Sequence, residues 1–504
     1  MPLVANPVLT TRNPATGAEV GRVPITPPDA LGAVVERARG AQATWGETPW
    51  TVRRRALDRF RRIVSRDARK WANWIRDEIG KPAVEAMAGD VVPTLDALRW
   101  TVKRAGPALA DERIGPSWQR WQLMPAGRLR WRPYGVVGII GTWNYPLFLN
   151  AAPIAQALAA GNAVVWKPSE WAVGAGERLQ RSLEEAEFPA GLVQAVQGGG
   201  EVGRALVESN IDKAVFTGGV ETGRRVLSTL GARGIPAVVE LSGFDPAIVL
   251  PDAPLAETAR AILWAAFVGC GQTCVAVKRV YVVGDPDPWI ATFAELIQSL
   301  KVGDPADPGI DVGPMISEQA RDRFEGLIRS AVEAGARVVV GGERLERPGS
   351  FHAPTLLEAD SPDPERALEG VFGPVLLARG VADVEEAIAA ANQGAMALAA
   401  SVWGRDRRAA RRVARRVQAG MVCVNEAVTP AASASAPFGG FRASGYGRTH
   451  GKLGLREFVA PQVAFERRAG GVRPHLFPYG DGALVGKFLK LYRRVFHPRR
   501  IKGG

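Results

Sequence analysis

Two short stretches carry residue types able to do covalent chemistry. Phe267-Val268-Gly269-Cys270-Gly271-Gln272-Thr273-Cys274 ends on a thiol, and Val238-Val239-Glu240-Leu241-Ser242-Gly243, whose carboxylate lies 34 positions earlier, closes an apolar run on Glu240. Most free cysteines in globular proteins are small core fillers. Cys274 differs in its setting: it follows the apolar run Ala261 to Val268, which reads as the end of a buried helix, and precedes Val280 to Val283, which reads as a buried strand. The flexible Gly269 and Gly271 between them present the thiol rather than pack it. An ordinary thiol, with a pKa of about 8.5, supplies little thiolate at neutral pH, so a base or a nearby positive charge must help it. Glu240, directly or through water, is the candidate base, and the pair would suit attack on a carbonyl carbon.

Gly271-Gln272-Thr273-Cys274 and Glu240-Leu241-Ser242-Gly243 resemble the two active-site signatures of the aldehyde dehydrogenase superfamily, at a similar separation. The likeness runs from about Asn13-Pro14-Ala15-Thr16-Gly17 to about Phe458. It implies NAD(P)-dependent oxidation of an aldehyde to the acid through a thiohemiacetal and a thioester on Cys274. Glu240 would then activate the water that hydrolyses the thioester. Asn144, in Thr142-Trp143-Asn144-Tyr145-Pro146, matches the family's side-chain donor to the oxyanion, with the Cys274 backbone N–H as its partner.

The resemblance also marks a cofactor site. Phe216-Thr217-Gly218-Gly219-Val220-Glu221-Thr222-Gly223 follows a strand and opens a helix, where a diphosphate can approach backbone N–H groups; it is similar to the family's pyrophosphate turn, with Gly218 and Gly223 as the matching glycines. Lys167 and Glu170, in Trp166-Lys167-Pro168-Ser169-Glu170, correspond to the family's ribose-binding pair. A carboxylate accepting those hydroxyls would repel a 2′-phosphate, which favours NAD over NADP. Ser169 reads equally as a helix N-cap, with Glu170 at the positive end of the dipole. Trp143, Thr217, Gly219 and Phe372 complete the set expected to hold the cofactor. One departure stands out in Glu369-Gly370-Val371-Phe372-Gly373-Pro374: the family commonly has Glu where Gly370 stands, and Glu369 comes one place early.

These residues need a scaffold, and the chain alternates accordingly. Residues 28 to 106 read as long helices, with apolar steps of three and four as in Ala56-Leu57-Phe60-Ile63-Val64. Pro107 to Pro116 reads as a loop, and Trp118 to Trp131 as an exposed ribbon. Strands follow at Val136 to Ile140, Ala163 to Trp166, Val193 to Val196, Ala214 to Phe216 and Ala237 to Glu240, with helices between. That alternation predicts a parallel sheet covered on both faces. A second series runs through Val277 to Val283, Arg337 to Val340, Val375 to Ala378, Leu398 to Val402 and Met421 to Asn425.

The predicted fold is therefore α/β, of the aldehyde dehydrogenase-like kind. A Rossmann-like cofactor domain (1–116 and 134–242) joins a second α/β catalytic domain (243–454). A small β-ribbon oligomerisation element (117–133 with part of 455–467) and a basic amphipathic tail (468–504) complete it. Phe438-Gly439-Gly440-Phe441-Arg442-Ala443-Ser444-Gly445 resembles the family's closing signature near the substrate entrance.

Composition limits the alternatives. Across 504 residues, hydrophobic content is 46% and charged content 23%, ordinary for a globular protein. No run of about 18 apolar residues suggests a membrane span, and the start lacks a signal-peptide layout, so a cytoplasmic location is expected. Three cysteines and four scattered histidines supply no metal-ligand spacing, and no metal is expected. Cys270 reads as packing. The net charge of +13 sits largely on helix faces such as Arg53-Arg54-Arg55 and Arg407 to Arg416 and in the tail, with no nucleic-acid-binding signature beside it.

In the tail, Leu484, Phe488, Leu491 and Val495 share a helix face while Lys487, Lys490, Arg493 and Arg494 add charge, so residues 482–497 could meet an anionic membrane. The resemblance implies a homodimer or homotetramer. Around the expected substrate tunnel stand Leu149, Ala152, Thr273, Val275, Ala432 and Ser433, which suit an apolar or long-chain aldehyde; a short semialdehyde is the alternative substrate, and a catalytically impaired scaffold the alternative role.

Overall fold

The computed structural model describes residues 7–114, 126–466, 477 and 482–496. Contacts divide the chain into two units, 1–109 with 132–460, and 110–131 with 461–504. The first opens with an antiparallel hairpin, Val8–Arg12 paired with Glu19–Pro24. Long helices follow, and Trp50–Arg66 shows why they form: Ala56, Leu57, Phe60, Ile63 and Val64 turn inward at helical spacing, and Arg54 and Arg55 remain exposed. The arginine-rich helix Arg407–Ala414 likewise buries only Ala410 and Val413.

Two sheets dominate this unit. The first has six strands in the order Gly445–Tyr446, Ala237–Glu240, Lys213–Thr217, Val136–Ile140, Ala163–Lys167, Val193–Ala195. All pair in parallel except Gly445–Tyr446, which runs antiparallel to Ala237–Glu240. Strand order reverses between Val136–Ile140 and Lys213–Thr217, and a ligand crevice opens at such a reversal in doubly wound sheets. The second sheet has seven strands, Arg337–Val340, Thr355–Glu358, Val375–Val381, Val277–Val283, Asp245–Val249, Ala399–Trp403 and Met421–Val424 in spatial order. Only Arg337–Val340 is antiparallel to its neighbour.

Asp245–Val249 and Thr355–Glu358 were not expected as strands. The first is short and follows Glu240 after four residues, so its apolar run reads as a continuation of the preceding strand. The expected loop at Pro107 to Pro116 also needs correction: helix Val92–Ala108 runs through Pro107, and Glu112–Ile114 is a strand. A proline near a helix end gives up only one hydrogen bond, and here the last turn absorbs it.

In the second unit, Glu112–Ile114 pairs antiparallel with Ala126–Pro133, and Val459–Glu466 adds a third strand. Residues 115–125, which hold most of the expected ribbon, lie outside the described residues. The tail forms the helix Ala483–Phe496. Of the apolar face expected there, Leu484, Phe488 and Val495 lie outside the described side chains and Leu491 is half-buried; Val485 and Leu489 are exposed, as are Lys487, Lys490 and Arg493. Among the described residues no helix is long and apolar enough to cross a membrane.

Candidate active site

The turn that carries Cys274 begins where helix Leu255–Phe267 ends. Gly269, Cys270 and Gly271 all take positive φ, 64°, 56° and 65°, which reverses the chain toward strand Val277–Val283. Neighbours hold the turn from several sides. Its Gly269 N–H donates to Glu85 Oε2 at 3.0 Å, and Gln272 Oε1 accepts from Ile316 N–H at 2.9 Å. Thr273 Oγ1 donates to the Val268 carbonyl at 3.1 Å and meets Tyr145 Oη at 2.7 Å. The carbonyl of Cys274 accepts from Gly243 N–H at 3.2 Å. Cys270 is buried in the apolar core, whereas Cys274 is only half-buried and lines a cavity of about 880 Å³.

Burial, and after it the charges of Asp245 and Glu240, pushes the Cys274 thiol up to about 12. The resting group is thus the protonated thiol, and attack requires a base to remove its proton. Glu240 ends strand Ala237–Glu240 and lines the same cavity. Both of its carboxylate oxygens are buried, with no hydrogen-bond partner among the described residues. Desolvation raises its pKa well above the usual carboxylate range, while Arg448 pulls it down and Glu457 pushes it further up. A carboxylate held this way takes up a proton more readily than an ordinary one, as a general base working near neutral pH must.

Asn144 reaches the thiol turn from the other sheet. Its Oδ1 accepts from Thr142 Oγ1 at 3.0 Å and its Nδ2 donates to the Gln272 carbonyl at 2.9 Å. The first contact sets the amide so that its nitrogen faces the turn, and an amide NH₂ has a second proton to donate. Asn144, Glu240 and Cys274 line one cavity together with Trp143, Thr217, Gly218, Gly219 and Phe372. Trp143 and Phe372 meet edge to face, with centroids 5.8 Å apart. Gly219 caps helix Val220–Ala232 with open space on its side-chain side. These residues fit a dinucleotide: a bare turn at a helix start for the diphosphate and, in the cavity the thiol lines, an aromatic pair for a flat ring.

Other expected residues are not in the cavity wall, although Trp171, next to Glu170, is. Lys167, Ser169, Glu170 and Gly223 are outside the cavity lining. The Lys167 ammonium is already engaged, donating to the carbonyls of Pro168 and Gly198 and to Glu170 Oε2 at 2.9–3.0 Å. Ser169 does not cap helix Val173–Glu185; its Oγ accepts from Trp171 N–H at 3.3 Å, and Glu78 takes the helix N–H groups of Gly174 and Ala175 instead. A side chain at Gly223 would run into Leu241, so this glycine lets its helix sit on the segment bearing Glu240. Of the six expected tunnel residues, Leu149 lines the cavity. Ala152 packs with Phe148, Ala97 and Ala434, and Val275 with Leu398, Ala399 and Phe438. The cavity also carries fixed cations, since Arg224 and Arg323 line it.

Gly370 lines the cavity with φ +85°, and nothing stands within 4 Å of where a Cβ would be. Glu369 lines it too, but its Oε1 accepts from Ala395 N–H at 3.2 Å, so the early glutamate ties two loops together.

Several participants have no spacing signal in the sequence. His450 lines the cavity, sandwiched between Phe148 and Phe438. Burial pulls it down to about 4, so at neutral pH it is uncharged. Its place ten positions after Gly440 in the closing signature was the available clue. Behind Tyr145, Lys81 Nζ sits 3.5 Å from the ring centroid and 3.0 Å from Asp90 Oδ2, both side chains fully enclosed. Ser444 Oγ donates to the Ser242 carbonyl at 2.8 Å and accepts from Ala397 N–H at 2.9 Å, tying the closing signature to the Glu240 segment. Among the described residues no cluster of three or more His, Cys, Asp or Glu could hold a metal ion.

Comparison with known proteins gives the chain a family. The profile described as Aldehyde dehydrogenase family matches residues 5–463. A 4,4'-diapolycopene aldehyde oxidase of Methylomonas sp is 34% identical over 475 residues, covering 93% of this chain and 87% of that one. A Mycobacterium tuberculosis protein named "Putative succinate-semialdehyde dehydrogenase", of the NADP(+) kind, is 32% identical over 489 residues, 96% of this chain and 92% of that one. The crystal structure of a Mycobacterium tuberculosis aldehyde dehydrogenase complexed with NAD+ superposes with TM-score 0.87 at 31% identity, covering 94% of this chain and 97% of that one.

Proposed function

The chain belongs to the aldehyde dehydrogenase family, and from that premise we propose that Cys274 is its nucleophile, Glu240 its general base and Asn144 a donor to the oxyanion. As a family member it is an NAD(P)-dependent oxidoreductase acting on aldehydes. When bound, the nicotinamide dinucleotide supplies the hydride acceptor. The chain's own residues do the rest. Sγ of Cys274, its proton removed by Glu240 or a water beside it, adds to the carbonyl carbon. Asn144 Nδ2 and the Cys274 N–H receive the charge that forms on oxygen. The oxidised adduct is a thioester, and Glu240 takes a proton from the water that cleaves it to the acid and the free thiol.

One observation carries this reading: a half-exposed thiol and a carboxylate without hydrogen-bond partners line one cavity with an amide donor and a glycine turn. The substrate we propose is an apolar or long-chain aldehyde. Leu149, Pro153, Leu398, Met396 and Phe438 in the lining support it, as do the uncharged His450 and the name of the Methylomonas relative. The relative named for succinate semialdehyde supports the alternative, a short semialdehyde, with Arg224 or Arg323 meeting the second carboxylate. NAD is the proposed preference over NADP, supported by the half-exposed carboxylate of Glu170 beside Lys167.

Assay of apolar aldehydes and succinic semialdehyde with both cofactors, read as reduced nicotinamide, separates the readings. A higher kcat/KM for the semialdehyde overturns the apolar assignment, and a higher kcat/KM with NADP overturns the cofactor preference. We also propose that the protein is a homo-oligomer and that helix Ala483–Phe496 touches anionic membrane, supported by exposed Val485, Leu489, Lys487, Lys490 and Arg493. Chains ending before Gly482 should lose binding to anionic liposomes; unchanged binding rejects membrane contact.

A further inference from the structure

Lys278 stands at the start of strand Val277–Val283 with its side chain fully buried. Neighbouring strand residues face opposite sides of the sheet, and the partners follow suit. Arg279 donates to the Phe244 carbonyl at 3.1 Å and faces Glu365. Lys278 Nζ instead donates to two carbonyls, Gly271 at 2.7 Å and Gly373 at 2.6 Å. Gly271 belongs to the turn that presents Cys274, and Gly373 to the loop that carries Phe372 against Trp143.

The two loops also touch directly, because any side chain at Gly271 would overlap the backbone of Gly373. On the cavity side Gly370 offers no side chain to fasten that second loop, and Glu369 is committed to Ala395. Its position is secured from behind.

Resting on the assignment of Cys274 as nucleophile, we propose that Lys278 is a positioning residue. Its ammonium clasps the thiol turn to the Phe372 loop and so sets the distance between the sulfur and the wall against which the cofactor ring must lie. A buried ammonium bonded to two carbonyls is charge-assisted and directional, and it closes on groups 102 residues apart in the chain. Burial, opposed by the Cys270 thiol and the Asp245 carboxylate, draws the amine down to about 7, so the charge is held at a cost that a purely space-filling side chain would avoid.

The test uses full-length Lys278→Met. Three readings are taken on the folded protein: NAD+ affinity by calorimetry, the rate of iodoacetamide alkylation of Cys274 with and without NAD+, and the primary isotope effect with a 1-deuterated aldehyde. With the clasp cut, the hydride step should slow by about 10²-fold, the loss expected from roughly an ångström of misplacement. The isotope effect should rise, the aldehyde KM should move little, and NAD+ should alter alkylation less than in the parent. Lys278→Gln, which keeps N–H donors on a shorter stem, should fall between the two and serves as the readout if Met prevents folding. A lower melting temperature with unchanged isotope effect, NAD+ affinity and alkylation overturns the proposal. Failure of the underlying assignment looks different: Cys274→Ala would then retain turnover whatever stands at position 278.

Discussion

Two buried carboxylates in this molecule have opposite surroundings. Glu78 receives Thr11 Oγ1 at 2.5 Å and the N–H groups of Gly174 and Ala175 at 2.7 Å each, at the start of helix Val173–Glu185. Burial raises its pKa, and those bonds and Arg178 pull it back. Glu240 is comparably buried, yet among the described residues its two oxygens have no hydrogen-bond partner, and Arg448 is the charge that lowers its pKa. Glu78 is a carboxylate serving the fold, satisfied on all sides and closed to ligands. Glu240 is the reverse: an unsatisfied buried oxygen costs about 1–3 kcal/mol, and in a cavity beside a thiol that cost goes with reactivity.

The contrast can be broken in several places. The largest effect belongs to Cys274→Ala, which should lower aldehyde turnover by about 10⁴-fold or more while the melting temperature moves little; retained turnover would leave Glu240 with nothing to activate. Next is Glu240→Gln. Removing a general base costs about 10²–10⁴-fold, and because the same carboxylate is the proposed base for both the thiol and the hydrolytic water, stopped-flow traces should show the first turnover slowed as well as thioester release. An unchanged steady-state rate removes Glu240 from the mechanism.

Glu78→Gln should do the opposite. It turns an amide NH₂ toward backbone donors, should cost about 1–3 kcal/mol in chemical denaturation, and should leave kcat within about twofold. A large kcat loss there would erase the distinction between the two carboxylates.

Stability against pH sharpens the comparison further. The folded-state pKa of Glu240 lies above its unfolded value, so the folded protein binds the extra proton. The associated stability is fully present below the ordinary carboxylate range and is lost as pH rises through the raised folded value. Glu240→Gln removes that dependence. Its melting temperature should therefore gain on the parent as pH rises, and parallel curves for the two proteins would contradict the burial argument.

The smallest effect is expected at Gly370→Glu. The site has room, but φ of +85° strains a residue with a Cβ by about 1–3 kcal/mol. A melting temperature a few degrees lower, with NAD+ affinity no tighter, is the expected result; tighter binding would mean the loop can relax to place a carboxylate on the cofactor.

Much of this could be read without coordinates because it is local. Short apolar runs alternating with helical stretches placed most strands of both sheets, and Gly-Gly after a strand marked the turn at Gly218. Cys274 and Glu240 stand out by type and by position at element ends, whereas Asn144 is singled out only by its match to the family pattern. Reading along the chain failed where partners are remote. Nothing near Lys167 foretells that the Gly198 carbonyl would hold its ammonium, and nothing near Ser169 foretells that Glu78 would take over the helix cap. The strand Asp245–Val249 was hidden because four residues suffice to turn from one sheet into the other.

Side-chain chemistry and element order are written in the sequence, since each depends on neighbours within a turn or two. Whether a carboxylate is satisfied, whether a lysine meets solvent or two carbonyls, and which glycine faces open space depend on groups brought together from distant parts of the chain. Those environments set the proton affinities of Cys274 and Glu240, and only the packed molecule decides them.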